Sequence, residues 1–136
     1  MKRMLISALF FSISLIALAA WVPDKSVMAR GKKVYTTYCI TCHQVDGGGV
    51  PGLNPPLEKT SYVSGKKTPL IRIVLNGMDE RDDINGESYS NTMPPHKFLS
   101  NQQIADVLTF VRNSFKNKAP VITLADVKYV RAGTRP

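Results

Sequence analysis

The sequence predicts an all-α protein in which short helices are joined by long loops. Apolar residues recur at helical spacing in three segments, near residues 27–38, 70–77 and 104–115. The connections, above all residues 44–57, are rich in glycine and proline and cannot continue a helix. Loops of this length are uncommon in a small domain unless something other than secondary structure orders them. We therefore expect helices and long loops wrapped round one large buried cofactor.

Length and composition indicate one globular domain with a basic surface. The 136 residues carry 18 Lys and Arg against 10 Asp and Glu, a formal net charge of +8. This charge favours an acidic partner or surface. Beyond residue 22 the basic residues are scattered, with Lys32-Lys33 and Lys66-Lys67 as the only adjacent pairs, and no aromatic residues alternate with them. Nucleic acid is therefore not an expected partner.

Residues 1–22 are expected to direct export. Lys2 and Arg3 precede an uncharged run from Met4 to Val22, which includes small residues at a predicted cleavage point after Ala19. The same run is long enough to span a bilayer, so an uncleaved membrane anchor with its basic end in the cytoplasm is the alternative. In either case the rest of the chain is expected in the periplasm, free or anchored to the inner membrane.

The first two helices have recognisable start signals. Ser26 is predicted to cap a helix from Val27 to about Tyr38. Thr68 and Pro69 are predicted as the N-cap and the first helical residue of a second helix, which stops at Gly77. Each helix would present an apolar face to the core.

The third helix has the clearest pattern in the chain. A polar segment with an expected turn at Asn85-Gly86 precedes it. Ser100 and Gln103 then form a capping-box pattern. The apolar face of this helix comprises Ile104, Val107, Leu108, Val111 and Phe115. After a linker at residues 118–120, Thr123 is predicted to cap a short last helix from Leu124 to Arg131.

The only two cysteines lie in the stretch YTTYCITCHQ, residues 35–44, with His43 directly after the second. A redox pair would open a helix after a strand, whereas Cys39 and Cys42 follow a predicted helix and no parallel-sheet pattern is present. A structural zinc ion needs a fourth ligand, and adjacent Cys42 and His43 are awkward on one tetrahedral ion. The spacing favours haem attachment, in which both cysteines form thioethers with the vinyl groups and His43 binds the iron.

The second axial ligand decides the chemistry of such a site. Methionine gives a closed, electron-transferring iron, whereas an open iron binds gases or peroxide. Beyond residue 22 the chain offers Met28, Met78, Met93 and, as a non-methionine ligand, His96. Met93 is favoured because Pro94-Pro95 prevent a helix and stiffen the loop that carries it. Met78 is the second choice, and His96 would give a lower potential.

From Ser26 to about Phe115 the chain resembles class I c-type cytochromes. The matching motifs are Gly31-x-x-x-Tyr35, Cys39-x-x-Cys42-His43, Pro55-x-Leu57, Met93-Pro94 and a final helix bearing VLTFV. The resemblance implies a small cytochrome c fold holding one covalent haem c. It assigns residues 23–118 to the haem domain and leaves residues 119–136 as a C-terminal extension with a short helix.

The resemblance also implies roles for individual residues. Gly31 would let the first helix cross the last one closely. The Pro55 carbonyl would accept a hydrogen bond from the Nδ1–H of His43 and so orient the ring. Met93 would be the distal ligand of the iron.

The function implied by the resemblance is electron transfer, without enzymatic activity. The protein would shuttle electrons by outer-sphere transfer between redox partners, such as a dehydrogenase and an oxidase or reductase. The C-terminal continuation is similar to haem domains that accompany bacterial dehydrogenases and oxidases, so a subunit fixed in such a complex is one alternative. A haem sensor or peroxidase with a labile sixth ligand is the other. Membrane contact is expected only if residues 1–22 are retained.

Overall fold

Residues 23–79 and 83–133 are described by the computed structural model, and they form six helices with no β-strand. The helices are α1 (Lys25–Tyr38), α2 (Ile40–His43), α3 (Ser61–Ser64), α4 (Lys67–Asn76), α5 (Asn101–Arg112) and α6 (Leu124–Gly133). The predicted all-α class is confirmed. The predicted export segment, residues 1–22, lies outside the described residues, among which no helix is long and apolar enough to cross a membrane.

Two helices begin earlier than predicted. Asp24, not Ser26, caps α1, because its carboxylate accepts a 2.7 Å hydrogen bond from the backbone N–H of Ser26. A carboxylate also interacts favourably with the positive end of the helix dipole. In α4 the N-cap is Lys66, so Thr68 and Pro69 lie inside the first turn. Proline is tolerated there because the first N–H groups of a helix have no intrahelical partner.

The start of α5 and the turn before it agree with the prediction because their signals are local, whereas α5 ends at Arg112, before Phe115 of its predicted apolar face. Ser100 and Gln103 form both hydrogen bonds of the capping box at the start of α5. Ile84 and Glu87 exchange two backbone hydrogen bonds across the predicted Asn85-Gly86 turn. The single turn α3 was not predicted, since four residues are too short to show an apolar period.

The core is built where α1 crosses α5. A Cβ on Gly31 would clash with the Asp106 carbonyl oxygen and would lie 2.6 Å from the Cβ of Phe110. Only glycine therefore allows this approach, as the family resemblance implied. The Tyr35 ring packs on Phe110 and Phe115, with centroids 5.5 and 5.2 Å away. Close packing of the two helices gives the loops between them a fixed frame.

The C-terminal residues belong to the same hydrophobic core. Ile122, Val127 and Val130, from the predicted C-terminal extension, are buried in it. The hydroxyl of Thr109 on α5 both donates to the Ile122 carbonyl and accepts from its N–H, at 3.1 and 3.0 Å. The predicted linker at residues 118–120 is also held against the end of α5, because the N–H of Ala119 donates to the Arg112 carbonyl at 3.1 Å.

Arg112 at the end of α5 is almost fully buried and joins three segments. Its Nε donates to the Pro120 carbonyl at 2.8 Å, and its Nη1 donates to the carbonyls of Val63 and Gly65. Burial lowers the pKa of this guanidinium, and Asp126 partly offsets the effect. A buried charge is tolerated here because carbonyl oxygens accept its N–H groups.

Candidate haem-binding site

An apolar cleft brings the predicted site residues together. Cys39, Cys42, His43, Pro55 and Met93 all line it. Its other walls include Leu57, Leu70, Val74, Val107, Leu108 and Val111. Most of the residues that line the cleft are apolar, and the cleft opens to the surface at its mouth. The cleft therefore offers an apolar lining to one face and edge of a bound macrocycle.

Cys39 lies at the joint of α1 and α2, so the whole attachment motif occupies one helical turn. The N–H of His43 donates to the Cys39 carbonyl at 3.0 Å. Both thiols are free, with Cys39 partly buried and Cys42 exposed. The turn thus presents two sulfur atoms and one imidazole along a single edge of the cleft.

The two competing uses of the cysteines find no support in this geometry. Burial, together with the neighbouring Cys42, raises the pKa of Cys39 to about 11. A redox-active Cys-x-x-Cys pair instead has a thiol with a lowered pKa. In the part of the chain that the structure describes, no group of three His, Cys, Asp or Glu side chains is placed to hold a bare metal ion. A zinc site at this motif is therefore not supported.

The ring of His43 is oriented by the loop that follows it. Its Nδ1 lies 3.2 Å from the carbonyl oxygen of Pro55. Because a carbonyl can only accept, this nitrogen carries the hydrogen and Nε2 keeps its lone pair. Burial lowers the pKa of His43, an effect that the Pro55 hydrogen bond opposes and His96 reinforces. The neutral imidazole that a metal ligand requires is the favoured form.

Gly49 makes that loop geometry possible. Its φ is +69°, and a Cβ there would lie 2.6 Å from the Pro55 carbonyl oxygen. The N–H of Gly49 also donates to the carbonyl of His43 at 3.1 Å. Glycine therefore lets residues 44–57 turn back on His43 and bring Pro55 to its ring. The role of Gly49 was not predicted, because a glycine-rich loop has many glycines and only the contacts show which one is constrained.

Two methionines occupy facing positions in the cleft. The backbones of Met78 and Met93 exchange hydrogen bonds of 2.9 and 3.0 Å as an isolated antiparallel bridge. Directly opposite residues in such a pair project to the same side. Both side chains accordingly line the cleft. Of the two, only Met93 also packs against the hydrophobic core. Met28 does not line the cleft.

His96 also lines the cleft. Its backbone N–H donates to the Val74 carbonyl at 2.8 Å, which ties the loop after Met93 to α4. Its Nδ1 is buried without a hydrogen-bond partner among the described residues. His96 therefore remains an alternative to Met93 as the second ligand, because its imidazole can bind iron and lies in the same cleft.

The two sides of the cleft are joined at its rim. Asn91, two residues before Met93, donates from its side chain to Asn54 Oδ1 at 3.1 Å and from its backbone to the Leu53 carbonyl at 3.0 Å. Asn54 directly precedes Pro55. The loop that orients His43 and the loop that carries Met93 are therefore fixed relative to each other, a link between segments far apart in sequence.

The cytochrome c family model matches residues 28–115, more than half of the chain. The chain belongs to the cytochrome c family. It is also similar to cytochrome c-552 of Thermus thermophilus, with 30% identity over 76% of this chain and 86% of that protein. The recognition from sequence, the cytochrome c fold and haem c as the cofactor are all confirmed.

Other relatives are much longer. The cytochrome c subunit of a quinone-type alcohol dehydrogenase from Gluconacetobacter polyoxogenes is 39% identical over 74% of this chain and 22% of its own length. The cytochrome c subunit of gluconate 2-dehydrogenase from Pantoea cypripedii is 35% identical over 85% of this chain and 26% of its own length. The chain thus spans about a quarter or less of these subunits, which contain additional sequence.

Proposed function

We propose that this chain is an exported single-haem electron carrier in which Cys39 and Cys42 form the thioethers and His43 and Met93 bind the iron. One observation carries the proposal. The imidazole of His43, already oriented by the Pro55 carbonyl, shares a single apolar cleft with both cysteines and Met93. Two thiols, one imidazole nitrogen and one thioether form the donor set that haem c with His/Met ligation needs.

The bound haem supplies a one-electron couple at its iron, and the protein's part is to keep that site closed. Apolar walls such as Val74, Leu108 and Val111 exclude water. Pro55 keeps the Nε2 of His43 unprotonated, and the Asn54–Asn91 contact holds the two ligand loops together. A site held in this way changes little in geometry between oxidation states, which favours outer-sphere electron transfer over substrate binding.

A freely diffusing shuttle is the function that we favour. The similarity to cytochrome c-552 extends over 86% of that protein, so it is not confined to one part of a larger subunit. A fixed subunit is the second candidate, because the identity to dehydrogenase cytochrome subunits is higher, at 35–39%. Partners in either case are redox proteins, a dehydrogenase on the donor side and an oxidase or reductase on the acceptor side. Purification of the chain under mild conditions, alone or with a dehydrogenase, distinguishes the two.

The ligand assignment is tested by the near-infrared charge-transfer band of ferric iron bound to a thioether. We expect the oxidised wild-type protein to show this band and Met93→Ala to lose it, because the sixth ligand is gone. Met78→Ala is the matched control, since its backbone is paired with that of Met93 and its side chain faces the same cleft. We expect the band to persist in Met78→Ala and in His96→Ala.

The opposite results have definite meanings. A band that survives in Met93→Ala and disappears in Met78→Ala would transfer the ligand role to Met78. Absence of the band from the wild-type protein would point to His96 or to an open iron. Rapid carbon monoxide binding to the native ferrous protein would then favour the sensor or peroxidase alternative over the electron carrier.

A further inference from the structure

We propose that Arg131 on α6 is a positioning residue for the distal ligand, because it clamps the loop that carries Met93. This inference rests on the proposed role of Met93. The guanidinium of Arg131 donates from Nη1 to the carbonyl of Lys97 at 2.9 Å and from Nη2 to the carbonyl of Leu99 at 2.7 Å. Both acceptors belong to the non-helical segment between Met93 and α5.

A guanidinium is suited to this task. Its donors are arranged in a rigid planar fork, so two carbonyls gripped at once are fixed in separation and in direction. Lys97 and Leu99 are two residues apart and lie four and six residues after Met93. No helix restrains residues 94–99 from within, and one turn hydrogen bond is internal to them, from the N–H of Leu99 to the His96 carbonyl at 3.0 Å. The position of this turn on the molecule depends on contacts with other segments.

The helix that carries Arg131, α6, is itself anchored to the rest of the domain. α6 is anchored by Val127 and Val130, which are buried at 0% and 4% exposure. Lys67 on α4 donates to Asp126 on the first turn of α6 at 2.8 Å. Arg131 therefore acts from a helix that is fixed to the core.

The Met93 loop is held by several contacts besides those of Asn91 and the buried side chain of Leu99. Met93 pairs with Met78, the His96 N–H binds the Val74 carbonyl, and Arg131 grips the carbonyls of Lys97 and Leu99. The first two restraints are backbone hydrogen bonds, which a side-chain substitution leaves in place. The clamp at Arg131 is a side-chain contact, and its removal should let the loop open more often without changing any candidate ligand.

The test uses the complete haem-loaded ferric protein and free imidazole as the competing ligand. Imidazole can bind only when the distal ligand leaves, so the rate of loss of the thioether charge-transfer band reports loop opening. We expect Arg131→Gln to raise this rate by about tenfold, since two hydrogen bonds from a charged donor are lost. Arg131→Lys keeps the charge and one donor group, so its exchange rate should lie between those of Arg131→Gln and the wild type.

Two controls separate positioning from charge and from general instability. Lys128→Gln removes the same charge from an exposed position on the same helix. Arg30→Gln removes a charge and weakens the ion pair to Asp106 at the α1–α5 crossing. We expect both to exchange ligand at nearly the wild-type rate, even where thermal unfolding shows a loss of stability. The clamp is refuted if Arg131→Gln and Arg131→Lys exchange no faster than these controls.

The two proposals fail in different ways. If the thioether band persists in Met93→Ala, the ligand assignment is wrong and the clamp loses its purpose with it. If Met93→Ala loses the band but Arg131→Gln exchanges ligand at the control rate, the proposed function stands and the clamp alone is wrong. If Arg131→Gln does not accumulate as folded holoprotein, Arg131→Lys decides by the same rate comparison.

Discussion

At the scale of single residues, the orientation of His43 depends on Gly49, which acts on the imidazole indirectly, through the Pro55 carbonyl. Gly49 and Gly52 both have φ close to +70°, so an alanine at either position adopts a left-handed conformation. They differ in their surroundings. A Cβ at Gly49 meets the carbonyls of Asn54 and Pro55, whereas nothing lies within 4 Å of a Cβ at Gly52. The pair therefore separates backbone strain from displacement of Pro55.

We expect Gly52→Ala to reduce the free energy of unfolding by about 1 kcal/mol, the cost of the left-handed conformation. Gly49→Ala should cost about 3 kcal/mol, because overpacking against the Pro55 carbonyl is added. It should also raise the reduction potential, since a weaker hydrogen bond from the Nδ1–H of His43 to the Pro55 carbonyl makes the imidazole a poorer electron donor to the iron. Chemical unfolding and voltammetry of both variants test this. Equal potentials in the two variants would contradict the role given to Pro55.

At the scale of elements, the crossing of α1 and α5 and the docking of α6 are held by different physical means. The crossing is steric, because backbone and Cβ atoms meet at Gly31 without space for a methyl group. The docking of α6 combines buried valines with the ion pair between Lys67 and Asp126, whose side chains remain about one third exposed. The stability of the α1–α5 crossing should therefore respond to added side-chain volume, and the docking of α6 should respond to pH.

Gly31→Ala is expected to reduce the free energy of unfolding by at least about 2 kcal/mol, since backbone atoms of α5 must move to admit the new carbon. Lys32→Ala, one residue further along the exposed face of α1, should change it by less than about 0.5 kcal/mol. Denaturant unfolding of the holoproteins measures both values. A similar small effect for the two variants would mean that the helices can separate at little cost.

The pH dependence of α6 follows from Asp126. Burial opposes its charged form, but hydrogen bonds from Lys67 and Thr123 outweigh burial and hold the pKa of this carboxyl below its ordinary value. A depressed pKa in the folded state contributes stability above the unfolded value, and this contribution is lost as the pH falls through the folded value. We expect Asp126→Asn to lower the unfolding temperature at neutral pH. This effect should shrink as the pH falls below about 3.9, the ordinary pKa of an aspartate. Asp79→Asn, at an exposed position, is the control and should change the unfolding temperature little at any pH. If Asp126→Asn lowered the unfolding temperature by the same amount at every pH, the ionisation of Asp126 would not be what stabilises α6.

At the scale of the whole molecule, the net positive charge governs encounters with redox partners. The formal charge of the full chain is +8, and it stays positive if residues 1–22 are removed, since they contain only Lys2 and Arg3 as charged side chains. Exposed charges attract an oppositely charged partner over about a Debye length, roughly 10 Å at 0.1 M salt. The charge thus acts on the rate of encounter with charged partners.

We expect oxidation of the reduced protein by an anionic reagent such as ferricyanide to slow as ionic strength rises, and oxidation by a cationic cobalt complex to accelerate. A neutral oxidant provides the control and should show almost no dependence. Stopped-flow measurements over a range of salt concentrations give the slope of the oxidation rate against ionic strength for each reagent. Equal slopes for the anionic and cationic reagents would show that the local charge at the electron-transfer surface does not follow the net charge.

Local patterns in the sequence were sufficient for the class of the protein and for most of its candidate ligands. Cys39, Cys42 and His43 lie within one helical turn, and the Ser100–Gln103 capping box and the Asn85-Gly86 turn each lie within four residues. Such features are visible in a short stretch of sequence, because their hydrogen bonds join near neighbours. For the same reason the amino-acid sequence alone is enough to recognise the family and its haem c.

Contacts between distant segments were decided only by the tertiary structure. The constraint on Gly49, the burial of Arg112 and the grip of Arg131 on Lys97 and Leu99 all depend on segments that meet after folding. A residue alone carries no mark of such a partner, since glycine is common in loops and arginine is usually exposed. The C-terminal helix is the clearest example. Its sequence predicted a helix, but only packing shows that it holds the loop of Met93.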